Sequence, residues 1–422
     1  MRMTYLAPEI PSVSATFVYR ELSAHGEAGH DVQALALRRP SPMPTAPELK
    51  PLTRRTSLLY SAPWRMLVDA AFGAAQDPVR ACSAIALAAR DMLRGNFPKE
   101  LQRWKVPMQL IAAFAVARHL RRHRSEHLHV HFAHAPATVG MYAALAAGIP
   151  FSVTAHANDL FVEGSLLAEK MLRAQSFLTV TEENKRELRS TVGQPADLVR
   201  VHRCGVDLDQ FTLRRGEYPW GAYLLAVGRL VAKKGFDDLI HAFAAVSKEH
   251  PDLRLVIAGE GPERRNLERL AESLHVDQRV VMTGSITPAR VRTFLRRAQA
   301  FCLPCRPTEN GDRDALPVAL MEAMASGVPV VTTTLPGIPE LVENCVNGLT
   351  VPPRDRLALT SALLTILGEP QQASEMARNA RTTVEERFDL QRNAEQLVTR
   401  FRQRLQAPAL AAAACPFVEG FQ

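Results

Sequence analysis

The sequence predicts an α/β protein built from two doubly wound, Rossmann-like domains, and three observations carry that prediction. Strand-length apolar runs alternate with amphipathic helix patterns in both halves of the chain. Glycine-bearing turns follow directly on strands in the second half, as in AVGRLVAKKG and IAGEGP. Between the halves, from Arg200, the periodicity fades and turn residues collect. That break places a linker at 212–221, with a first domain over 1–211 and a second over 222–386. The amphipathic stretch 387–405 has no strand after it, and 406–422 reads as a tail. With 422 residues and 47% hydrophobic content, the chain can fill two substantial cores.

The first domain opens as strand, loop, helix and strand through TYLAPEIPSVSATFVYRELSAHGEAGHDVQALAL. Ser12, Ser14 and Thr16 stand around the helix start, where capping is the default role and contact with an acceptor the alternative. No GxGxxG follows the first strand, and no acid sits about twenty residues on to grip a ribose, which weakens a dinucleotide-dependent oxidoreductase. The first 200 residues hold 24 basic against 17 acidic side chains, so nearly all of the net charge of +8 lies there. Within them, Arg94 to Arg124 sets Arg94, Lys99, Arg103, Lys105, Arg118, Arg121, Arg122 and Arg124 around the apolar run VPMQLIAAFAVA. Two readings stay open: a basic amphipathic surface resting on anionic lipid, or a half-buried helix whose charged end faces water. No aromatic platform or recognition motif accompanies the charge, so nucleic acid is a poorer partner. His127, His129, His131 and His134 alternate as a strand does, with nothing acidic nearby to complete a metal set. They are expected to be site-wall or core histidines.

In the second domain, YLLAVGRLVAKKGFDDLIHAF gives a strand, a turn carrying Arg229 and Lys234, and a helix with Leu239, Ile240 and Phe243 on one face. Cations at the carboxyl end of a parallel strand form an anion site. Lys233 is expected to face solvent. The next unit, LRLVIAGEGPERR, places Gly259 and Gly261 where a backbone could approach a ligand closely. Further on, DALPVALMEAMASGVPVV sets Asp314 and Glu322 on either side of a helix start, with Pro317 in the first turn. Because a helix N-terminus already favours anions, acids placed there suit neutral sugar hydroxyls better than phosphate. Asp312 and Asp314 also spell a DxD, but it stands before a helix in a chain that already supplies Arg229 and Lys234 for an anion, so no catalytic metal or cofactor is expected.

These pieces in this order resemble the retaining, nucleotide-sugar-dependent glycosyltransferases of family 4, in particular the exopolysaccharide-assembly subgroup of the colanic-acid type. The resemblance spans nearly the whole chain. The family's Glu, seven residues, Glu pattern is matched by Asp314 and Glu322, with the first acid one methylene shorter. Its GR and KG element matches Gly228, Arg229, Lys234 and Gly235, and its GxGP turn matches Gly259, Gly261 and Pro262. HVHFAHAP and GIPFSVTAHANDLF are similar to its first-domain strand and HxxD loop, and GIPELVENCVNGLTVPP to the segment after the second acid. The subgroup's SETF loop reads SATF here, with Ala15 in place of Glu.

The resemblance implies a GT-B fold, two Rossmann-like domains facing across a cleft with the last helix crossing back to the first. It implies a UDP- or GDP-sugar donor and a glycan or lipid-linked acceptor. Arg229 and Lys234 would then take the diphosphate and Glu322 the ribose. Asp314, with the backbone of Ala315, Leu316, Pro317 and Val318, would take the transferred sugar, and Thr283 and Gly284 the base. Ser14, Thr16, His156 and Asp159 would line the acceptor side. A nucleotide-sugar epimerase of the same fold and a non-catalytic nucleotide-sugar-binding subunit remain the alternatives. No run long enough to span a bilayer and no signal-peptide pattern occurs, so the expected location is cytoplasmic, with any membrane contact peripheral. Six scattered cysteines fit reduced thiols, the Cys302-Cys305 CxxC having no partner pair for a metal.

Overall fold

The computed structural model describes residues 1–406 apart from 13–14, 42, 44–45, 99, 157–158, 161–163, 214–222 and 310. Ser14, Lys99, most of the expected linker and the expected tail beyond 406 therefore lie outside the described residues.

Two parallel sheets form the two domains. The first contains β1 (Arg2–Ala7), β2 (Asp31–Ala36), β3 (Ser57–Leu58), β4 (His127–His131), β5 (Phe151–Ala155), β6 (Ser176–Thr179) and β7 (Val199–Val201), in the order 3-2-1-4-5-6-7. The second contains β8 (Tyr223–Val227), β9 (Arg254–Ala258), β10 (Val280–Gly284), β11 (Ala300–Leu303), β12 (Val330–Thr333) and β13 (Leu349–Val351), in the order 10-9-8-11-12-13. Central strands are buried on both faces, as β4 and β5 are along their whole length. Continuous apolar runs such as AFCL and VVTT are what that burial demands. In each sheet the order reverses once, between β1 and β4 and between β8 and β11, and the loops leaving those strand ends carry the candidate site.

Helix starts differ in detail from the sequence reading. The helix Thr16–Glu27 has Ala15 at its N-cap position, so neither Ser12 nor Thr16 occupies it. The helix Val318–Ala325 has Pro317 as its N-cap residue rather than inside its first turn.

The final helix, Leu390–Gln406, lies against the first domain. Leu390, Ala394, Leu397, Val398 and Phe401 recur at helical spacing and are all buried. Leu390 and Ala394 pack on Ala24, while Leu397 and Phe401 pack on Leu178. The Phe401 ring stacks on His127 at 4.1 Å.

The basic segment is used in two ways. Arg118 pairs with Asp69, and Arg121 donates to Gly73 O at 2.7 Å, so these two charges are spent inside the domain. The helix Val106–Arg122 buries Val106, Ala112, Ala113 and Val116. Outside, apolar side chains stand in helical register on solvent-facing stripes: Trp64, Leu67, Val68 and Phe72 on the helix Pro63–Ala75, and Leu101, Trp104, Met108 and Ile111 further on. Trp64 is 63% exposed and Trp104 67%. Among the described residues, no helix is long and apolar enough to cross a membrane.

Candidate functional site

In the second domain the loops after β8 and β11 gather a charged cluster. After β8 the chain turns through Gly228 and Arg229 to Gly235, whose φ is +64° and whose Cβ would sit 2.0 Å from Pro304 O. Only glycine lets this loop close on the loop that follows β11. That approach brings Lys234 Nζ to 2.5 Å from Asp314 Oδ2, and Lys233 Nζ to 3.4 Å from Asp314 Oδ1 and 3.0 Å from Asp312 Oδ1. The Cys305 thiol donates to Asp314 at 3.4 Å. Burial alone would raise the Asp314 carboxyl, but Lys234 and then Lys233 bring it down to about 2. Burial opposes the Lys234 charge as well, and Asp314 more than offsets it.

One expectation changes here. Lys233, expected in solvent, is 14% exposed at its side chain and joins the acids. Lys234, whose expected role at a diphosphate is unchanged, is paired with Asp314. Arg229 is exposed, and near enough to Lys234 for its charge to work against that of the lysine.

The glycine turns bring the two loops together. A Cβ at Gly259 would lie 1.8 Å from Gly228 O, and one at Gly261 would lie 2.2 Å from Leu230 O. Both glycines thus let the β9 loop pack on the β8 loop, where Leu230 N–H donates to Glu260 O at 2.9 Å. Gly228 flanks Lys234, a Cβ there falling 3.4 Å from Lys234 Cε. At the end of β10, Gly284 O accepts from Gly259 N–H at 3.0 Å and from the Thr283 hydroxyl at 3.1 Å. Ala315, Leu316, Pro317 and Val318 lead into the positive end of the helix Val318–Ala325, with Gly337 packed on Ala315 O.

Glu322 has a partner that the sequence reading did not foresee. It is 5% exposed, and its Oε1 lies 2.6 Å from the Arg20 guanidinium of the first domain. Arg20 is one helical turn past Thr16 on the same helix. Its guanidinium also lies over the Phe211 ring at 5.5 Å. Two further pairs cross between the domains, Arg203 with Glu340 at 2.9 Å and Arg313 with Glu187.

In the first domain the loops after β4 and β5 are tied together. Asp159 Oδ1 accepts the His156 N–H at 2.8 Å and Oδ2 accepts the Ala133 N–H, so one carboxylate ties the loop after β5 to the loop after β4. Burial pushes the Asp159 carboxyl up and the neighbouring Lys170 ammonium down. The His156 ring meets Phe17 at 4.4 Å and Phe132 at 5.0 Å, and its Nε2 is 3.5 Å from His131 Nδ1. Burial, then His131, holds the His156 imidazole well below its usual range, so the ring is neutral. Phe17 was not singled out from the sequence. The strand histidines also differ from expectation: an acid does reach them, because Glu21 lies against His129 and His131. It arrives from a helix over a hundred residues earlier, beyond the reach of sequence proximity.

Two facing parallel sheets, each with its ligand-side loops at the reversal point, define the GT-B class of glycosyltransferases. Model matches agree: residues 215–383 match the glycosyl transferases group 1 family and residues 14–210 match Glycosyltransferase Family 4. The chain belongs to the group 1 and family 4 glycosyltransferases. It is 28% identical to the protein named as the colanic acid biosynthesis glycosyltransferase WcaL of Escherichia coli strain K12, over 93% of this chain and 97% of that one. It is 32% identical to the amylovoran biosynthesis glycosyltransferase AmsK of Erwinia amylovora over 47% of this chain and 49% of that one. Among solved structures, sucrose-phosphate synthase from Thermosynechococcus elongatus superposes with a TM-score of 0.72 at 20% identity, covering 97% of this chain and all of that one. Anabaena HepE in complex with UDP and glucose gives 0.69 at 15%, covering 96% and 100%.

Proposed function

We propose that this glycosyltransferase moves a sugar from a UDP- or GDP-sugar to a glycan or lipid-linked acceptor, with retention of anomeric configuration, in the assembly of an exopolysaccharide or other cell-surface polysaccharide. The observation that carries this reading is the cluster of Lys233, Lys234 and Asp314 directly before the helix that bears Glu322. It offers cations for a leaving diphosphate and acids for hydroxyls within one pair of loops. The names of WcaL and AmsK support the polysaccharide context.

In this reading the bond from the anomeric carbon to the β-phosphate oxygen breaks, and negative charge gathers on the diphosphate. Arg229 and Lys234, with the positive end of the helix Val318–Ala325, stabilise it. When the diphosphate arrives, Lys234 turns part of its charge from Asp314 to phosphate, and Asp314 then accepts from sugar hydroxyls. Glu322 holds the ribose while Arg20 fixes its orientation. The acceptor oxygen attacks from the departing face and its proton passes to the leaving phosphate oxygen, so no side-chain base is needed. His156, neutral and walled by Phe17 and Phe132, orients the sugar and acceptor. Thr283 and Gly284 border the base through backbone groups. No divalent ion takes part at the diphosphate.

The reaction is placed at the cytoplasmic side of a membrane, where nucleotide sugars are made, and the exposed stripes around Trp64 and Trp104 contact an anionic bilayer there. Exposed tryptophans with nearby Arg65, Arg103 and Lys105 suit the level of lipid headgroups.

A panel of UDP- and GDP-sugars tests the donor reading. At least one is expected to release its nucleoside diphosphate slowly without acceptor, at a rate unchanged by added magnesium or manganese. Sugar isomerisation without diphosphate release would identify an epimerase instead, and no turnover of any donor would leave a binding subunit.

A further inference from the structure

Behind His156 the first domain buries a set of polar side chains that sugar transfer leaves unused. Glu21 is 6% exposed, and His129, His131 and His202 are 0%, 1% and 5%. Their Nε2 atoms converge on one carboxylate: His131 and His129 lie 3.3 and 3.6 Å from Glu21 Oε1, and His202 lies 3.8 Å from Oε2. A charge-assisted N–H···O hydrogen bond closes to about 2.7–2.9 Å. Ligand atoms held at about 2.0–2.1 Å around a tetrahedral zinc are instead about 3.3 Å apart. The separations here fall at and just beyond that second spacing.

The surroundings also fit. His129 Nδ1 bonds Ser152 Oγ at 2.7 Å, His131 Nδ1 faces His156 Nε2, and the Tyr5 hydroxyl donates to Glu21 Oε1 at 2.7 Å. Metal-bound imidazoles are held by such partners on their other nitrogens, and a ligating carboxylate oxygen has a second lone pair for a further hydrogen bond, as Glu21 Oε1 takes from Tyr5. Thr154 Oγ1 lies 3.1 Å from His129 Nε2, the one neighbour that shares a ligating nitrogen. Two imidazoles and a single carboxylate suit a borderline-soft transition metal, while calcium and magnesium call for oxygen-rich shells.

We propose that Glu21, His129 and His131, whose ligand atoms all lie within 4.8 Å of one another, form a binding site for one divalent transition-metal ion, zinc by its donor set, with His202 beside it. The ion ties the helix Thr16–Glu27 to β4. It lies within the first domain, apart from the donor loops, and takes no step in the transfer. By fixing His131 it sets the position of the His156 ring, a consequence that rests on the role given to His156 above.

Untagged full-length protein, produced in zinc-supplemented minimal medium and purified by gel filtration, tests the site by elemental analysis. About one zinc per chain is expected for the wild type, and a several-fold loss for Glu21→Gln, which keeps the side-chain volume and a partner for Tyr5. Protein produced with cobalt in place of zinc should display the visible absorption of a tetrahedral cobalt site, absent from His131→Ala. Should His131→Ala fail to fold, Glu21→Gln carries the cobalt comparison. Wild-type protein with no more zinc than Glu21→Gln, or with no tetrahedral cobalt spectrum, overturns the proposal. Metal content needs no donor turnover, so this result stands whatever the donor panel gives.

Discussion

Asp314 is the residue on which the charged cluster depends, because two lysines and a thiol converge on it. Its carboxyl titrates near 2 when folded, against about 3.9 in an unfolded chain. A depressed carboxylate contributes stability that is complete above the unfolded value and is lost as pH falls toward the folded one. Thermal midpoints of wild type and Asp314→Asn should therefore differ at pH 6, where the contribution is about 2 kcal/mol, and converge as pH drops from about 4 to 2. A gap that stays constant over that window would remove the ion pair from the account. For the reaction, Lys234→Ala and Arg229→Ala should each lower kcat by about 10²–10³-fold, measured with whichever donor the panel identifies. Activity near wild type in both would refute the diphosphate assignment. The sequence marked these residue types and their order, and it marked Glu322. It did not reveal Arg20, since an ion pair between residues 302 positions apart leaves no spacing signal.

Among the elements, loops closing on loops are what the glycines secure. Gly261→Ala would drive its Cβ into the Leu230 backbone, with O, C and N all at 2.8 Å or less. It should cost about 1–3 kcal/mol, as overpacking does. Gly26→Ala provides the contrast, because nothing lies within 4 Å of its Cβ inside the helix Thr16–Glu27. That change should leave the thermal midpoint level or raise it slightly, reducing unfolded-state entropy without strain. A midpoint for Gly261→Ala no lower than that of Gly26→Ala would mean the loops separate easily. Strand and helix identities in this region were legible because period and turn chemistry are local. The function of the glycines was not, because a close backbone approach to a ligand and to another loop impose the same demand on one residue.

Across the whole molecule, the last helix and the ion pairs from Arg20, Arg203 and Arg313 hold the two domains face to face. The outer face of the first domain carries the two apolar stripes, larger than scattered surface hydrophobics require. Sedimentation with vesicles of anionic and of zwitterionic phospholipid should pull down wild type with the anionic set. Trp64→Ser combined with Trp104→Ser should release it, while donor turnover in solution stays level. Equal sedimentation of wild type and the double variant would exclude these stripes as the contact. The sequence had drawn attention to Arg94 to Arg124, but Arg118 and Arg121 are consumed by internal partners, and the helix Pro63–Ala75 was passed over because its charge is low.

By itself the sequence determined two doubly wound sheets, their strand-end loops and the acids and cations those loops carry, because strand and helix periods and turn residues act over a few positions. The tertiary structure alone decided which charges meet: Lys233 and Lys234 with Asp314, Arg20 with Glu322, and Glu21 with three histidines. Electrostatic pairing depends on distance in space, and folding brings together groups whose separation along the chain carries no trace of it.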